Sequence, residues 1–167
     1  MTATLTRAIA TKALREVISD YNYWGESESD SPLTVRSSRT PLDEKRILSL
    51  DASARRSATQ TPGYKAPERT IRTESLDEIF VPLAMNSLSE LQQSSDAVKK
   101  EGFGLETLEK PAEAVEFYVQ LYSTFKMLAN SRVCYVEDSS DPYTGLFIIG
   151  ESSDNETVYA QALLVQT

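Results

Sequence analysis

Val133-Cys134-Tyr135-Val136-Glu137, Gly145-Leu146-Phe147-Ile148-Ile149 and Val158-Tyr159-Ala160-Gln161-Ala162-Leu163-Leu164-Val165 decide the fold when read together. All three runs are rich in β-branched, aromatic and aliphatic residues, which suit a pleated, half-buried surface. Asp138–Thr144 and Gly150–Thr157 separate them, and both links are built from turn formers such as Asp, Ser, Gly, Pro and Asn. Links this short join antiparallel neighbours, because a parallel pair needs a crossover of about a dozen residues or more. A C-terminal three-strand antiparallel meander is therefore predicted.

Upstream of the meander, Pro111 suits the first turn of a helix running to Asn130, with an apolar stripe of Val115, Tyr118, Leu121 or Tyr122, Phe125 and Leu128. Two capping boxes, Ser75-Leu76-Asp77-Glu78 and Ser87-Leu88-Ser89-Glu90, predict two further helices. Pro82 is expected to end or kink the first, and the second should run toward Lys100 before Gly102 and Gly104 break the chain. Near the start, Leu5, Ile9, Ala13, Val17 and Tyr21 recur every four residues, which predicts an amphipathic helix capped by Thr2 or Thr4. The other reading of Met1–Arg15, with three bases, no acid and four threonines, is a transit-peptide composition. Tyr21–Pro32 reads as a loop, aromatic first and acidic after. Leu33–Arg39, Glu44–Leu50 and Arg69–Thr73 are short strand candidates, and Ala52–Glu68, with its Pro62-Gly63 turn, reads as a long mobile loop. The grouping implies one α+β domain over 1–167, a layered α/β sandwich with helices packed around a mostly antiparallel sheet.

Composition narrows the function. The 167 residues contain no His, which excludes imidazole bases, Ser-His-Asp triads and His-ligated zinc. Cys134 is the only cysteine, so neither an internal disulfide nor a cysteine metal cluster is possible. Its apolar strand makes a buried, inert thiol the expected state. No run approaches the ~20 apolar residues of a membrane span. A non-enzymatic chain without a cofactor, located in the cytoplasm, is the expectation.

The net charge of −8 is unevenly spread. Residues 1–100 hold 14 bases and 14 acids, whereas residues 101–167 hold three bases and eleven acids. Glu16–Asp30 holds five acids and no base, and Arg36–Arg72 holds nine bases against four acids. Acidic surfaces repel nucleic acid and attract basic partners, so a protein partner is expected in place of DNA or RNA. Glu26, Glu28 and Asp30 alternate like calcium ligands, yet the sixth and twelfth positions counted from Glu26 are Ser31 and Ser37, where an EF-hand needs Gly and Glu. Gly102-Phe103-Gly104 follows no strand and lacks a third Gly, so it does not read as a nucleotide cradle. Asn155-Glu156-Thr157 matches a glycosylation sequon and reads as a turn.

Two stretches resemble the nuclease A inhibitor family. Ser27-Glu28-Ser29-Asp30-Ser31-Pro32-Leu33 is similar to its S-E-S-(D/E)-x-P-(F/L) segment, and Val133–Glu137 with Gly145–Glu151 and the terminal Leu164-Val165-Gln166-Thr167 is similar to its final meander. Thr73–Phe80 resembles its short helix entrance. The resemblance implies a protein that blocks a sugar-non-specific DNA/RNA nuclease of the ββα-metal type. It implies that Glu28 faces the nuclease, that Glu26 and Asp30 add local charge, and that the Thr167 hydroxyl and carboxylate are ligands for the Mg²⁺ of the partner's site. A reading from another class is an assembly subunit that docks on a multisubunit complex through the Arg36–Arg72 region.

Overall fold

The computed structural model describes residues 2–138 and 140–166. The chain runs α1 (Arg7–Asp20), β1 (Thr34–Ser38), α2 (Glu44–Thr59), β2 (Thr70–Glu74), α3 (Leu76–Glu101), a 3₁₀ turn (Leu105–Leu108), α4 (Glu109–Lys126), β3 (Ala129–Glu137), β4 (Tyr143–Glu151) and β5 (Thr157–Val165). The five strands form one sheet in the order β1-β5-β4-β3-β2, antiparallel throughout. The meander β3-β4-β5 is its centre, as the apolar runs predict. β1 and β2, the two short strands from the first half of the chain, close the edges.

Side-chain alternation splits the core between two faces. Val133, Tyr135, Leu146, Ile148, Val158 and Ala160 point to the larger core under α1, α3 and α4. Cys134, Val136, Phe147, Ile149 and Tyr159 point to a smaller one against Leu42 and Ile47, beside α2. The result is three layers, helix–sheet–helix, each burying one apolar face. The predicted α4 stripe holds, with Tyr118, Leu121 and Phe125 buried and Phe117 added to it. The helix starts at Glu109, so Pro111 occupies its third position, and it ends at Lys126 and not at Asn130, which lies in β3 at φ 52°.

Several expectations are corrected. The Glu44–Leu50 segment is helical, and α2 continues through Ala52–Thr59, where a loop is expected. The loop proper is 60–69, opened by Gln60 at φ 52° and turned at Gly63. Asp43 caps α2 by accepting from the Arg46 amide at 2.8 Å. The two helices predicted between Ser75 and Lys100 are one: Ser75 caps it, accepting from Glu78 N–H at 3.1 Å, but Pro82 does not end it. Pro82 is exposed, so the carbonyl that its missing N–H leaves unbonded lies on the solvent side of the helix. In α1 the buried face is Ala10, Leu14 and Val17, while Ile9 is exposed. A strict four-residue repeat advances about 40° per step on a 3.6-residue helix, so the predicted series winds across the surface, from exposed Ile9 through half-buried Ala13 to buried Val17. Thr6 is the cap, accepting from Ile9 N–H.

Candidate functional site

The acidic loop between α1 and β1 is clamped at its base. Asn22 closes it with a pair of bonds to Leu33, donating from Nδ2 to the carbonyl at 3.0 Å and accepting the amide on Oδ1 at 2.8 Å. Trp24 is fully buried and meets Phe80 and Tyr118 edge-on, with ring centroids 5.7 and 5.5 Å away. Gly25 donates its amide to the Tyr118 hydroxyl at 2.8 Å; a Cβ on Gly25 would sit 3.0 Å from that oxygen.

Glu26 turns back into the fold. Its Oε1 accepts from Trp24 Nε1–H at 2.9 Å and from the Tyr135 hydroxyl at 2.6 Å. The Arg72 guanidinium lies over the Tyr135 ring at 4.4 Å and bridges Glu74 and Glu137, both at 2.9 Å. Glu26 is thus a half-buried brace.

Glu28 and Asp30 are exposed, and the serines between and beside them divide the work. Ser27 and Ser31 are buried and bonded to each other at 2.8 Å. Ser27 Oγ also accepts from the Val165 amide at 3.0 Å. Glu28 N–H donates to the Val165 carbonyl at 2.8 Å, and Gln166 Nε2 donates to the Glu26 carbonyl at 3.1 Å. The loop is therefore stitched to the last residues of β5, and Glu28 and Asp30 are carried on a braced backbone beside Gln166. Thr167 lies outside the described residues.

The smaller core contains an ionic cluster that the sequence reading did not find. Arg55 and Asp51 are fully buried, one helical turn apart on the inner face of α2. Arg55 donates to Asp51 Oδ2 and Asp141 Oδ1, each at 2.7 Å, and to the Val136 carbonyl at 2.9 Å. Arg69 Nη1 adds a second cation on Asp51 Oδ2 at 2.6 Å, and Tyr64 donates to Asp141 at 3.2 Å. Asp51 Oδ1 has no N–H or O–H partner among the described residues. A Cβ on Gly145 would fall 2.0 Å from it, so the bare glycine makes room for the carboxylate. With every charge turned inward, the cluster fastens α2 and the 60–69 loop to the β3–β4 end of the sheet. Among the described residues, no three acids or thiols are grouped so as to hold a metal ion, and no helix is long and apolar enough to cross a membrane.

Burial and the Glu26 carboxylate both push the Tyr135 phenol up, burial most strongly. Burial likewise raises Tyr118 to about 12. An unfolded tyrosine ionises near pH ~10. Above that pH the folded chain holds more protons than the unfolded one, so the stabilisation is complete below pH ~10 and falls as pH rises through the window above it. The urea midpoint is expected to drop from about pH 10 upward, and less steeply in Tyr135→Phe; an equal drop in both would remove Tyr135 from this role.

No protein-family model and no curated protein matches the chain.

Proposed function

We propose that this chain is an acidic inhibitor that blocks a metal-dependent, sugar-non-specific nuclease by presenting Glu28 and Asp30 to the basic, phosphate-binding side of that enzyme. The observation that carries the reading is the braced loop: two exposed carboxylates on a backbone held by Ser27, Ser31, Glu26 and β5. Exposed acids on a pre-organised segment meet a cationic groove without the ordering cost of a mobile loop. The S-E-S-D-S-P resemblance supports the same site. Glu26 enters this reading as the support of the loop, with Glu28 as the contact. Thr167, outside the described residues, enters this reading through the resemblance alone, as a source of oxygen donors toward the partner's metal.

The assembly-subunit reading draws less from the same molecule. Of the bases in the Arg36–Arg72 region, Arg55, Arg69 and Arg72 are engaged in internal ion pairs.

The test is a titration of Mg²⁺-dependent DNA hydrolysis by a ββα-metal nuclease from the same host. The unmodified chain is expected to inhibit at about micromolar concentration or below, and Glu28→Lys to weaken inhibition at least about tenfold, roughly 1.4 kcal/mol, in a chain that circular dichroism shows to be folded. No inhibition by the unmodified chain would end the reading. Equal inhibition by Glu28→Lys would move the contact elsewhere.

A further inference from the structure

α2 covers the centre of its face of the sheet and stops short of one edge. The smaller core beneath it comes from β3, β4 and β5, through Cys134, Val136, Phe147, Ile149 and Tyr159. Val35 of β1 turns to the larger core, so Thr34 and Arg36 stand on the α2 side, and both are exposed. A groove of about 340 Å³ runs between them and the helix. Leu50, Ser53, Ala54 and Ser57 form its far wall, and Gln161 and Leu163 of β5 its floor. The outer edge of β1 is not open to a further strand. Asn22 takes both main-chain groups of Leu33, and Arg15 donates to the Val35 carbonyl at 3.1 Å. An occupant of this region therefore lies on the face of the sheet, between β1 and α2.

The groove carries cations that the fold leaves unpaired. Among the described residues, neither the Arg36 nor the Arg46 guanidinium has an acid or a hydrogen-bond acceptor. Arg46 continues the Leu50-Ser53-Ser57 stripe one turn toward the start of α2, and lines the adjoining hollow with Lys45 and Ser49. Arg39 is exposed in the link between β1 and α2. The acids at this end are Glu44 and Asp43, and Asp43 is engaged as the helix cap. At physiological salt, charges beyond about 8 Å are screened, so these bases and not the net charge of the chain set the local field.

The lining also selects the kind of anion. No aromatic ring lines the groove to stack a base, as a nucleic-acid strand would require. Leu50 and Ala54 are half-buried and offer an apolar strip, with the exposed Ser53 and Ser57 hydroxyls beside it. From Arg46 to Ser57 the helix rises about 17 Å, the span of about five extended residues. An extended chain sends alternate side chains to opposite walls, one set toward Arg36 and the other toward Leu50 and Ala54. We propose that this groove docks an extended segment of a partner protein in which acidic and apolar residues alternate, its carboxylates on Arg36 and Arg46 and its apolar side chains on Leu50 and Ala54.

The test needs no nuclease, so its outcome is separate from that of the inhibitor reading. Fluorescence anisotropy at physiological salt follows a labelled octapeptide of alternating Asp and Leu. Saturable binding is expected with a Kd of about 100 μM or tighter. Arg36→Glu and Arg46→Glu should each weaken it at least about tenfold, as should Ser53→Trp, which fills the groove without changing a charge. Lys99→Glu makes the same charge change on α3, in the opposite helical layer, and should leave binding within about twofold of the unmodified chain. No saturable binding at about 1 mM overturns the proposal. So does a loss in Lys99→Glu equal to that in Arg36→Glu, which would mean a general charge effect. Equal or tighter binding of an eight-nucleotide oligothymidylate, about 8 nt long, would make the groove a nucleic-acid site and overturn it too. If circular dichroism shows Arg36→Glu unfolded, Arg46→Glu and Ser53→Trp decide. An acid at position 46 suits the first turn of α2, and unchanged binding by either variant overturns the proposal.

Discussion

Replacing Arg55 with Met is expected to lower the unfolding free energy by about 3–5 kcal/mol. The side chain is fully buried and makes three charge-assisted or carbonyl bonds, to Asp51, Asp141 and Val136. Methionine fills much of the same volume, so the loss is electrostatic and not a cavity effect. Without the guanidinium, Asp51 keeps only Arg69 as a cation, and its Oδ1 is already buried with no donor among the described residues. Breaking one partner of a buried pair leaves an uncompensated charge, which costs far more than an exposed pair contributes. Lysine at 55 is expected to recover only part, since one ammonium cannot span two carboxylates and a carbonyl as the planar fork does. Urea denaturation at neutral pH measures the loss, and the deficit should persist in high salt because buried pairs are weakly screened. A change under about 1 kcal/mol would mean that water reaches the cluster and solvates Asp51 in place of Arg55.

This cluster also explains where the sequence stops being legible. The meander and the α4 stripe are readable because their buried positions are apolar, so burial and hydrophobicity mark the same residues. In α2 they part company. Its inner face is Ile47, Asp51 and Arg55, an i, i+4, i+8 series in which two of three members count as polar in any pattern search. Asp51 and Arg55 form an i, i+4 pair, but their further partners, Arg69, Val136 and Asp141, come from other parts of the chain, so no local signal shows that the pair is buried. Asp43 ahead of Glu44 was a usable cap signal, and the spacing of Ile47 and Asp51 a weak confirmation. Pro82 failed as a boundary for a related reason: packing of Phe80 and Ser87 holds α3 together across it, and tertiary contacts override local propensity. At the candidate site, the alternation of Glu26, Glu28 and Asp30 was visible, but their division of labour was not. Glu26 is drawn inward by Trp24, two residues away, and by Tyr135, 109 residues away in the chain.

Trp24→Ala is expected to cost about 3–5 kcal/mol, and it links the core to the candidate site. The indole is fully buried among Phe80 and Tyr118, so truncation removes both ring contacts and opens a cavity under the loop. It also removes one of the two donors that hold Glu26. Trp24→Phe separates these effects in part: it keeps an aromatic ring in the site and removes the N–H with some ring volume, so about 1–2 kcal/mol is expected from the lost charge-assisted bond and the smaller ring. Combined with Tyr135→Phe, it strips both side-chain donors from Glu26 Oε1 while leaving the apolar packing largely in place. The carboxylate then turns toward water, and the backbone on which Glu28 stands loses its inner anchor. Under the inhibitor reading, the double variant should fold at room temperature yet bind the nuclease at least about tenfold more weakly, although neither substitution touches an exposed contact residue. Thermal melting followed by circular dichroism measures the first quantity, and the DNA-hydrolysis titration the second. Unchanged inhibition by a folded double variant would show that Ser27, Ser31 and β5 alone hold the loop, and that the Glu26 brace serves stability only.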